Sequence, residues 1–505
     1  MASFVRKVPT SSGARAVQIV HKTGRQVVGI EHIGSAHDAA GLAALMEIAR
    51  QRLHEGQEAL DLAGASSGSA VPSGLSGARV TGMRAQLLWD VLTGAYRQLG
   101  FEQVRDETFR ALVCARVVEP TSKADTLRVL ADLGVPGPSL RTVWRCLVRC
   151  VERDYQGTLA TACLAHAVSG AAGALSLVLY DVTTLYFETE IEDDLRKVGM
   201  SKERRVDPQI QVGLLVDPAG FPLELHCFAG NMAETRTLIP VLQAFAERHS
   251  VTDMVVVADA GMLSAGNLNA LEDKDFRFIV GSRISKAPYD LAEHFEAHGD
   301  YFTDGQILES DRVMGTRTAA RSRRVVYHYS FSRSKRDNRA IEAMLDRAEK
   351  VAAGTRPLKR DRFVKIDGAD KSVNWDLVER ARKLAGLKGY VTNIPKATMD
   401  GEAIIGAYHD LWQVEKSFRM SKSDLRARPI FHHQRDSIEA HLSVVFAALA
   451  ISRHLQAATG VSIKRLVHAL RPLQTVFVNV GGHTITAEPT LTPAADEIIA
   501  ALRGD

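Results

Sequence analysis

The sequence predicts an α/β protein with a central sheet flanked by mainly helical regions. Two apolar runs, Leu175–Asp181 and Met254–Asp259, are typical of strands that are covered on both faces of a sheet. Apolar residues repeat with helical spacing from about 82 to 168, and again from 437 to 470. The change of periodicity at residue 175 therefore marks the start of the sheet.

Strands and helices follow a definite order between residues 175 and 280. Strands are predicted at 175–181, 209–216, 221–228, 254–259 and 276–280, and helices at 237–248 and 263–273. The order strand-strand-strand-helix-strand-helix-strand is that of an RNase H-like core. After residue 280 the pattern changes to a polar, arginine-rich region.

We divide the chain into three regions on this pattern. They are an N-terminal region at 1–168 with a linker at about 61–80, an RNase H-like core at 169–430 that is interrupted by a β-rich insertion at 285–373, and a helical C-terminal region at 431–505. The linker is predicted from its glycine, serine and proline content.

The composition is that of an ordinary globular protein. Hydrophobic residues make up 46% and charged residues 24% of the 505 residues, and the net charge is +4. No apolar run approaches the roughly 18–20 residues of a membrane span. The first seven residues lack the apolar stretch of a secretory signal. We therefore expect a cytoplasmic protein without membrane contact.

The cysteine pattern leaves a zinc site open but does not favour one. The sequence contains five cysteines, Cys114, Cys146, Cys150, Cys163 and Cys227. Cys146 and Cys150 are four residues apart, and Cys163 and His166 are three apart, which is a spacing that metal ligands use. The first four cysteines lie in apolar helical stretches, where buried thiols are common. We expect reduced and mostly buried cysteines.

A helix-turn-helix outline is predicted near residue 140. Helices at 122–133 and 139–154 are joined by a short turn that contains glycine and proline. Arg141, Arg145 and Arg149 are spaced four apart on the second helix, and such a stripe suits contact with DNA phosphates. A plain helical hairpin with solvated arginines explains the pattern equally well.

Basic residues cluster in two further stretches. Residues 311–339 contain nine Arg or Lys against two Asp, and they include Arg321, Arg323 and Arg324. Residues 416–435 are also basic, and they include Lys416, Arg419 and Lys422. Clusters of this kind favour DNA contact, although solvated faces of ordinary elements look the same.

Three acidic residues are the candidate catalytic and metal-binding groups. Asp181 and Asp259 each end an apolar strand, which is where ligands bind in open α/β sheets. Glu415 lies within a long helix predicted from Gly401 to about Ser423. Three converging carboxylates repel one another unless a hard divalent cation is bound. Two Mg²⁺ ions at such a site activate an attacking oxygen and stabilise the leaving oxygen of a phosphodiester.

The helix around Glu415 carries further candidates. Tyr408, Leu411, Glu415 and Lys422 are spaced 3, 4 and 7 apart, which puts all four on one helix face. A metal-binding glutamate, a lysine and a tyrosine on one face would line a single DNA groove.

Four segments together resemble the DDE transposases of bacterial insertion sequences. The segments are Tyr180–Glu188, the pair Gly230–Asn231 with Glu234–Leu238, Val257–Gly261, and Tyr408–Lys422. The last resembles the branch whose glutamate helix carries a Tyr-x2-Arg-x3-Glu-x6-Lys signature. The likeness covers roughly residues 175–435. Leu411 departs from it, since the signature has arginine there, and Lys416 or Arg419 would have to replace that phosphate contact.

The resemblance implies a cut-and-paste transposase. It implies an RNase H-like fold with a β insertion between the second aspartate and the glutamate, and two Mg²⁺ ions, with Mn²⁺ as a substitute. It also implies cleavage at the terminal inverted repeats, strand transfer into target DNA, a homodimer assembled on the DNA ends, and association with the nucleoid. We expect Asn231 and Glu234 to support the metal ligands, although a simple turn explains them equally well.

Two other functions remain open from the sequence alone. A catalytically silent DNA-binding protein descended from a transposase would have the same fold, but it would not need all three acids. A glycosidase also uses paired carboxylates. That class needs neither the lysine on the helix of Glu415 nor the arginine-rich stretch.

Overall fold

The computed structural model describes the N-terminal region as a small sheet with one helix. Across the chain it describes all residues except 1, 11–12, 25, 54–78, 171–176, 201–205, 252–253, 263, 283, 358–360, 368–369, 481–482 and 504–505. The first elements are β1 (Ala2–Pro9), β2 (Arg15–Thr23), β3 (Gln26–Ala36), α1 (Ala39–Leu53) and β4 (Arg79–Arg84). Strands β1, β2 and β3 form an antiparallel sheet. Most of the predicted linker lies outside the described residues.

Five helices follow, as the periodicity predicted. They are α2 (Gln86–Gln98), α3 (Glu107–Val118), α4 (Lys123–Asp132), α5 (Leu140–Glu152) and α6 (Tyr155–Gly170). The helix-turn-helix outline is present in α4 and α5. Ser122 and Ser139 cap these helices, since each side chain accepts a hydrogen bond from a backbone N–H of the first turn. Cys146 and Cys150 are free thiols buried on α5.

The succession of strands and helices predicted for residues 175–280 is present. It comprises β5 (Leu177–Tyr186), β6 (Gln209–Val216), β7 (Pro222–Ala229), α7 (Leu238–His249), β8 (Val255–Ala258), α8 (Ala265–Glu272) and β9 (Arg277–Ser282). Strand β5 pairs antiparallel with β6 and parallel with β8, and β8 pairs parallel with β9. All residues of β6 and β8 are buried, because both faces of the sheet are covered.

The stretch predicted as a β-rich insertion is instead an extension of the central sheet together with a helical lobe. Its elements are α9 (Ala287–Asp290), α10 (Ala292–His298), β10 (Ile307–Met314), β11 (Arg321–Tyr329), α11 (Phe331–Ala352), β12 (Val364–Asp367) and β13 (Asp370–Val373), and α12 (Trp375–Lys383) and β14 (Leu387–Thr392) follow. The central sheet has the strand order β10-β11-β14-β9-β8-β5-β6-β7. Strand β14 pairs with β9, so β10 and β11 continue the same sheet.

The C-terminal part departs from the prediction in two places. Its elements are α13 (Gly401–His409), α14 (Trp412–Arg419), a π-helical turn (Met420–Asp424), α15 (Arg435–Thr459), α16 (Ile463–Leu470), β15 (Thr475–Val480), β16 (His483–Ala487) and α17 (Pro493–Arg503). The single helix predicted at 401–423 is interrupted between α13 and α14. The region predicted as helical at 431–505 also contains strands, because β15 pairs with β16 and with β4 from the N-terminal region.

Helix α15 lies at the centre of the molecule. It is the one helix of the described residues that is long and apolar enough to cross a membrane, and most of it is buried in the protein. It packs against α3 and α5 on one side and against β7 on another. One hydrophobic core therefore includes the helices α2–α6 and the central sheet. The boundary expected at residue 168 does not separate two cores.

The arginines of β11 anchor the sheet extension to α8. Arg323 is buried, and its guanidinium forms an ion pair with Glu272 through Nε at 2.7 Å. Arg321 pairs with the same carboxylate at 3.0 Å. Arg324 pairs with Glu309 at 3.0 Å and donates to the backbone oxygen of Met399. The DNA contacts expected of these arginines are not supported here, and Arg323 in particular is closed off from solvent.

Replacing Arg323 with alanine should destabilise the protein strongly. The change leaves the Glu272 carboxylate without its buried partner, which should lower the free energy of unfolding by about 3 kcal/mol or more. Urea denaturation measures this effect. Arg321→Ala is the matched control and should stay closer to wild type, because the Arg321 side chain is 38% exposed and Arg323 still pairs with Glu272 after the change. Equal stabilities of the two variants would contradict an anchoring role for Arg323.

Candidate active site

The pairing of β5 with β8 brings two of the predicted carboxylates together. In this parallel pair Tyr180 lies opposite Ala258. Asp181 and Asp259 are the next residues of the two chains, so they leave neighbouring strands at the same level. Neighbouring strands are about 4.8 Å apart. The register therefore forms a pair of adjacent aspartates at the carboxyl end of β8.

The sequence suggested that Asp181 ends its strand, but the structure places it within β5. Strand β5 continues to Tyr186 and stays paired with β6 along this stretch. Its pairing with β8, however, covers only Leu177–Tyr180. Asp181 is thus the first residue of β5 beyond the end of β8, at the point where the two strands part. This geometry gives the aspartate the access to solvent that a strand end would give.

Asp259 is exposed and is held by a tyrosine from α13. The hydroxyl of Tyr408 donates to Asp259 Oδ1 at 3.0 Å, and the backbone N–H of Ala260 donates to the same oxygen at 2.7 Å. Burial, and next the charge of Asp259, raise the pKa of Tyr408 above its usual value, so the phenol stays a donor. Gly281 on β9 makes room for it, since a Cβ there would lie 2.7 Å from the hydroxyl oxygen.

A lysine that the sequence analysis missed lies beside this pair. The ammonium of Lys388 on β14 lies 4.4 Å from the ring centroid of Tyr408. Burial and the neighbouring Arg333 lower the pKa of Lys388, while the charge of Asp259 acts in the opposite direction. Lys388 is therefore a cation close to the aspartate pair. No local pattern marked it, because β14 joins this site only through its pairing with β9.

Glu415 lies on α14, which packs across β5 and β6. The hydroxyl of Ser417 fixes the helix by donating to the backbone oxygen of Gly220 at 2.8 Å. Val414 and Phe418 face the core, while Glu415 is exposed. Among the described residues no three acidic, histidine or cysteine side chains are positioned to hold a metal ion. Asp181 and Asp259 thus form a pair, and Glu415 does not complete a ligand set with them in this conformation.

The basic residues near Glu415 have different surroundings and do not form one surface. Arg419 is exposed one turn after Glu415, and Lys416 lies over the ring of Trp412 at 5.3 Å. Lys422 is half-buried and lines a small cavity together with Thr183 of β5. The face that the sequence analysis assigned to Tyr408, Glu415 and Lys422 is not continuous. The break after α13 and the π-helical turn change the direction of successive side chains.

The two polar residues predicted to support the site lie after β7. Asn231 is exposed. Glu234 is half-buried, and a Cβ added at Gly261 would lie 3.2 Å from its Oε2. Since Gly261 is two residues beyond Asp259, Glu234 is a neighbour of the aspartate pair. Burial raises the pKa of Tyr180, the hydrogen bond with Thr237 opposes this shift, and the charges of Asp181 and Glu234 add to it.

Comparison with known proteins shows the family to which this chain belongs. The family described as "Transposase DDE domain" matches residues 173–451, which is more than half of the chain. This chain belongs to that family. No curated protein matches the transposase. A similar solved structure is the cryo-EM structure of the piggyBac transposase synaptic complex with hairpin DNA. Its sequence is 9% identical, the alignment covers 77% of this chain and 69% of that chain, and the TM-score is 0.36.

The three arginines predicted on the second helix of the helix-turn-helix differ in their surroundings. In this transposase Arg141 and Arg145 are exposed on α5. Arg149 instead forms an ion pair with Asp106 at 2.6 Å. Asp106 also caps α3 and accepts a hydrogen bond from the hydroxyl of Tyr155. Arg149 therefore joins α5 to α3, and only two arginines of the stripe face solvent.

Arg149→Ala should lower the free energy of unfolding by about 2 kcal/mol. The change removes two hydrogen bonds to the carboxylate of Asp106, and bonds to charged groups contribute about 1.5–3 kcal/mol. Arg145→Ala, one helical turn away, is the control and should leave stability unchanged. Chemical denaturation of both variants measures the difference. A stable Arg149→Ala variant that has lost DNA binding would return Arg149 to the DNA-contact surface.

Proposed function

We propose that this transposase cleaves DNA at the ends of a mobile element and transfers the cut strand into target DNA, as in cut-and-paste transposition. The observation that carries the proposal is the register of β5 and β8, which sets Asp181 beside Asp259. The family match supports the same conclusion, since it covers both aspartates and Glu415. We take these three carboxylates as the catalytic and metal-binding residues.

The strand order supports an RNase H-like core. Three antiparallel strands, β5 to β7, are followed by a parallel strand on the other side of β5 and by a second parallel strand beyond it. Helices α7 and α8 connect the parallel strands. This is the succession that the sequence analysis assigned to such a core. The Asp pair lies at its centre, between the first and fourth strands.

The donor chemistry of the Asp pair fits Mg²⁺. Carboxylate oxygens are the ligands that this hard cation prefers, and a cation would relieve the repulsion between two adjacent aspartates. Two ions held by Asp181, Asp259 and Glu415 would activate the attacking oxygen and stabilise the leaving oxygen of a phosphodiester, and Mn²⁺ would substitute. Glu415 would have to approach the pair, which its exposed position on α14 allows.

The residues around the pair have distinct roles in this proposal. Tyr408 orients the Asp259 carboxylate through its hydroxyl. Lys388 supplies a positive charge beside the same carboxylate, where it would attract a DNA phosphate. Arg419 is exposed one turn beyond Glu415 and would contact the DNA backbone. Arg141 and Arg145 on α5 would contribute to recognition of the terminal repeats. We further propose that the transposase acts as a homodimer on DNA ends, in the cytoplasm at the nucleoid.

Asp181→Asn, Asp259→Asn and Glu415→Gln should each abolish Mg²⁺-dependent nicking of DNA that carries the element's ends. Binding of the same DNA should change little, because affinity comes mainly from basic contacts elsewhere. A cleavage gel and an electrophoretic binding assay, run on the same preparations, separate the two effects. Near-wild-type nicking by any one variant would remove that residue from the catalytic set.

The same assay decides between this proposal and a catalytically silent DNA-binding protein. A silent protein would bind the terminal repeats but would show no nicking with either Mg²⁺ or Mn²⁺. In that case the three substitutions would leave every measured property unchanged.

Lys388→Met should slow nicking by about tenfold or more, because it removes a preorganised charge from the region of the scissile phosphate. Lys383→Met on α12 is the matched control, since this lysine is exposed and lies on another element. Nicking rates at saturating DNA give the comparison. If the two variants nick equally fast, Lys388 has only a structural role beside Tyr408.

A further inference from the structure

A basic cavity lies between the N-terminal helices and the segment that follows Glu415. Its volume is about 510 Å³, which falls within the range of small-ligand pockets. It is formed by the start of α4, by Trp144 of α5, and by the segment from Arg426 to His432. The arginine and lysine side chains lining it are Arg116, Lys123, Arg426 and Arg428. None of the described residues that line this cavity is acidic.

Two of these cations, Lys123 and Arg116, have no acidic partner among the residues that the structure describes. Within the part of the chain that the structure describes, the ammonium of Lys123 has neither a hydrogen bond nor an ion pair. Burial, and next the charge of Arg116, lower the pKa of Lys123 to about 7. Within the described residues, the hydrogen bonds of the Arg116 guanidinium go to the backbone oxygens of Leu425 and Arg426 and to the ring of His441. A cluster of this kind is costly unless an anion binds to it.

Two acidic residues close in sequence to Lys123, namely Glu119 and Asp125, form ion pairs outside the cavity. Glu119 pairs with Arg128 at 2.6 Å and with Arg471 at 2.7 Å. Asp125, which follows Lys123 on α4, pairs with Arg128 at 2.9 Å. Both carboxylates thus belong to a separate network around Arg128. Ser122 and Lys123 also begin α4, so the positive end of that helix adds to the potential of the cavity.

Aromatic side chains form the rim of the cavity. Trp144 is 50% exposed and Phe431 is 69% exposed, and both line the cavity. The ring of His432 meets Trp144 edge-on, with 6.3 Å between the ring centroids. A cavity lined by both cations and exposed aromatic rings suits a ligand that joins a negative group to a flat ring, and nucleotides have this chemistry.

We propose that this cavity binds one nucleotide of a single DNA strand, with the phosphate at Lys123 and Arg116 and the base against Trp144. The site deepens the proposed function, on which it rests, by adding a strand contact away from the carboxylates. Arg428 at its edge lies 5.4 Å from the ring of Tyr186, at the end of β5. Tyr186 is five residues beyond Asp181, which is about 17 Å at 3.3 Å per residue. A DNA strand covers that distance in about five nucleotides at 3.4 Å each.

The test is binding of a fluorescent ten-nucleotide oligo-dT to the full chain in EDTA, measured by anisotropy at several salt concentrations. Lys123→Met should raise Kd about tenfold. The same change should make the slope of log K against log salt shallower by about 0.7. Trp144→Ala should also raise Kd about tenfold but leave the slope unchanged. An abasic ten-mer should bind wild type as weakly as oligo-dT binds Trp144→Ala.

Lys383→Met on α12 is the charge-matched control and should bind as wild type does. The inference is overturned if Lys123→Met and Trp144→Ala both bind like this control, or if the oligonucleotide does not bind wild type. Should Lys123→Met fail to fold, Trp144→Ala still decides, because its side chain is half-exposed. Mg²⁺-dependent nicking of end DNA is measured separately. Nicking without oligo-dT binding refutes this site alone, whereas binding without nicking refutes the proposed function alone.

Discussion

The parallel pairing of β5 with β8 is the constraint on which the candidate site depends. It sets two aspartates side by side, and it ends where β8 ends, so that both reach solvent. The surrounding elements compensate for this concentration of negative charge. Helix α13 brings the Tyr408 hydroxyl to Asp259, and β14 brings the Lys388 ammonium close to it. A shift of one residue in this register would separate the carboxylates and turn one of them into the core.

The central part of the fold could be predicted because its signals are local. Continuous apolar runs indicated β5 and β8, and turn residues separated the strands between them, so that element type and order followed from the sequence. Asp181 and Asp259 were found by their positions next to such runs. Ser122 and Ser139 likewise marked the starts of α4 and α5 through cap chemistry.

What could not be predicted depends on partners that are distant in the chain. Strand β4 pairs with β15 nearly 400 residues later, and neither strand has a strong pattern of its own. Arg149 and Arg323 looked like DNA-binding residues until their carboxylate partners, Asp106 and Glu272, were known. No local sequence pattern indicated that Lys388 lies near the aspartate pair. An arginine stripe has the same sequence pattern whether it faces a phosphate or a buried carboxylate, so only tertiary structure separates the two cases.

The burial of α15 has a consequence for how the molecule is made. A ribosome releases the helices α2–α6 long before it reaches residue 435, yet these helices share their core with α15. The first half of the chain must therefore wait, with its apolar faces uncovered, until most of the polypeptide has been synthesised. During that interval the exposed apolar faces favour aggregation, and a chain truncated before α15 would lack part of its core. Late completion of the core would thus limit how much active protein each round of translation delivers.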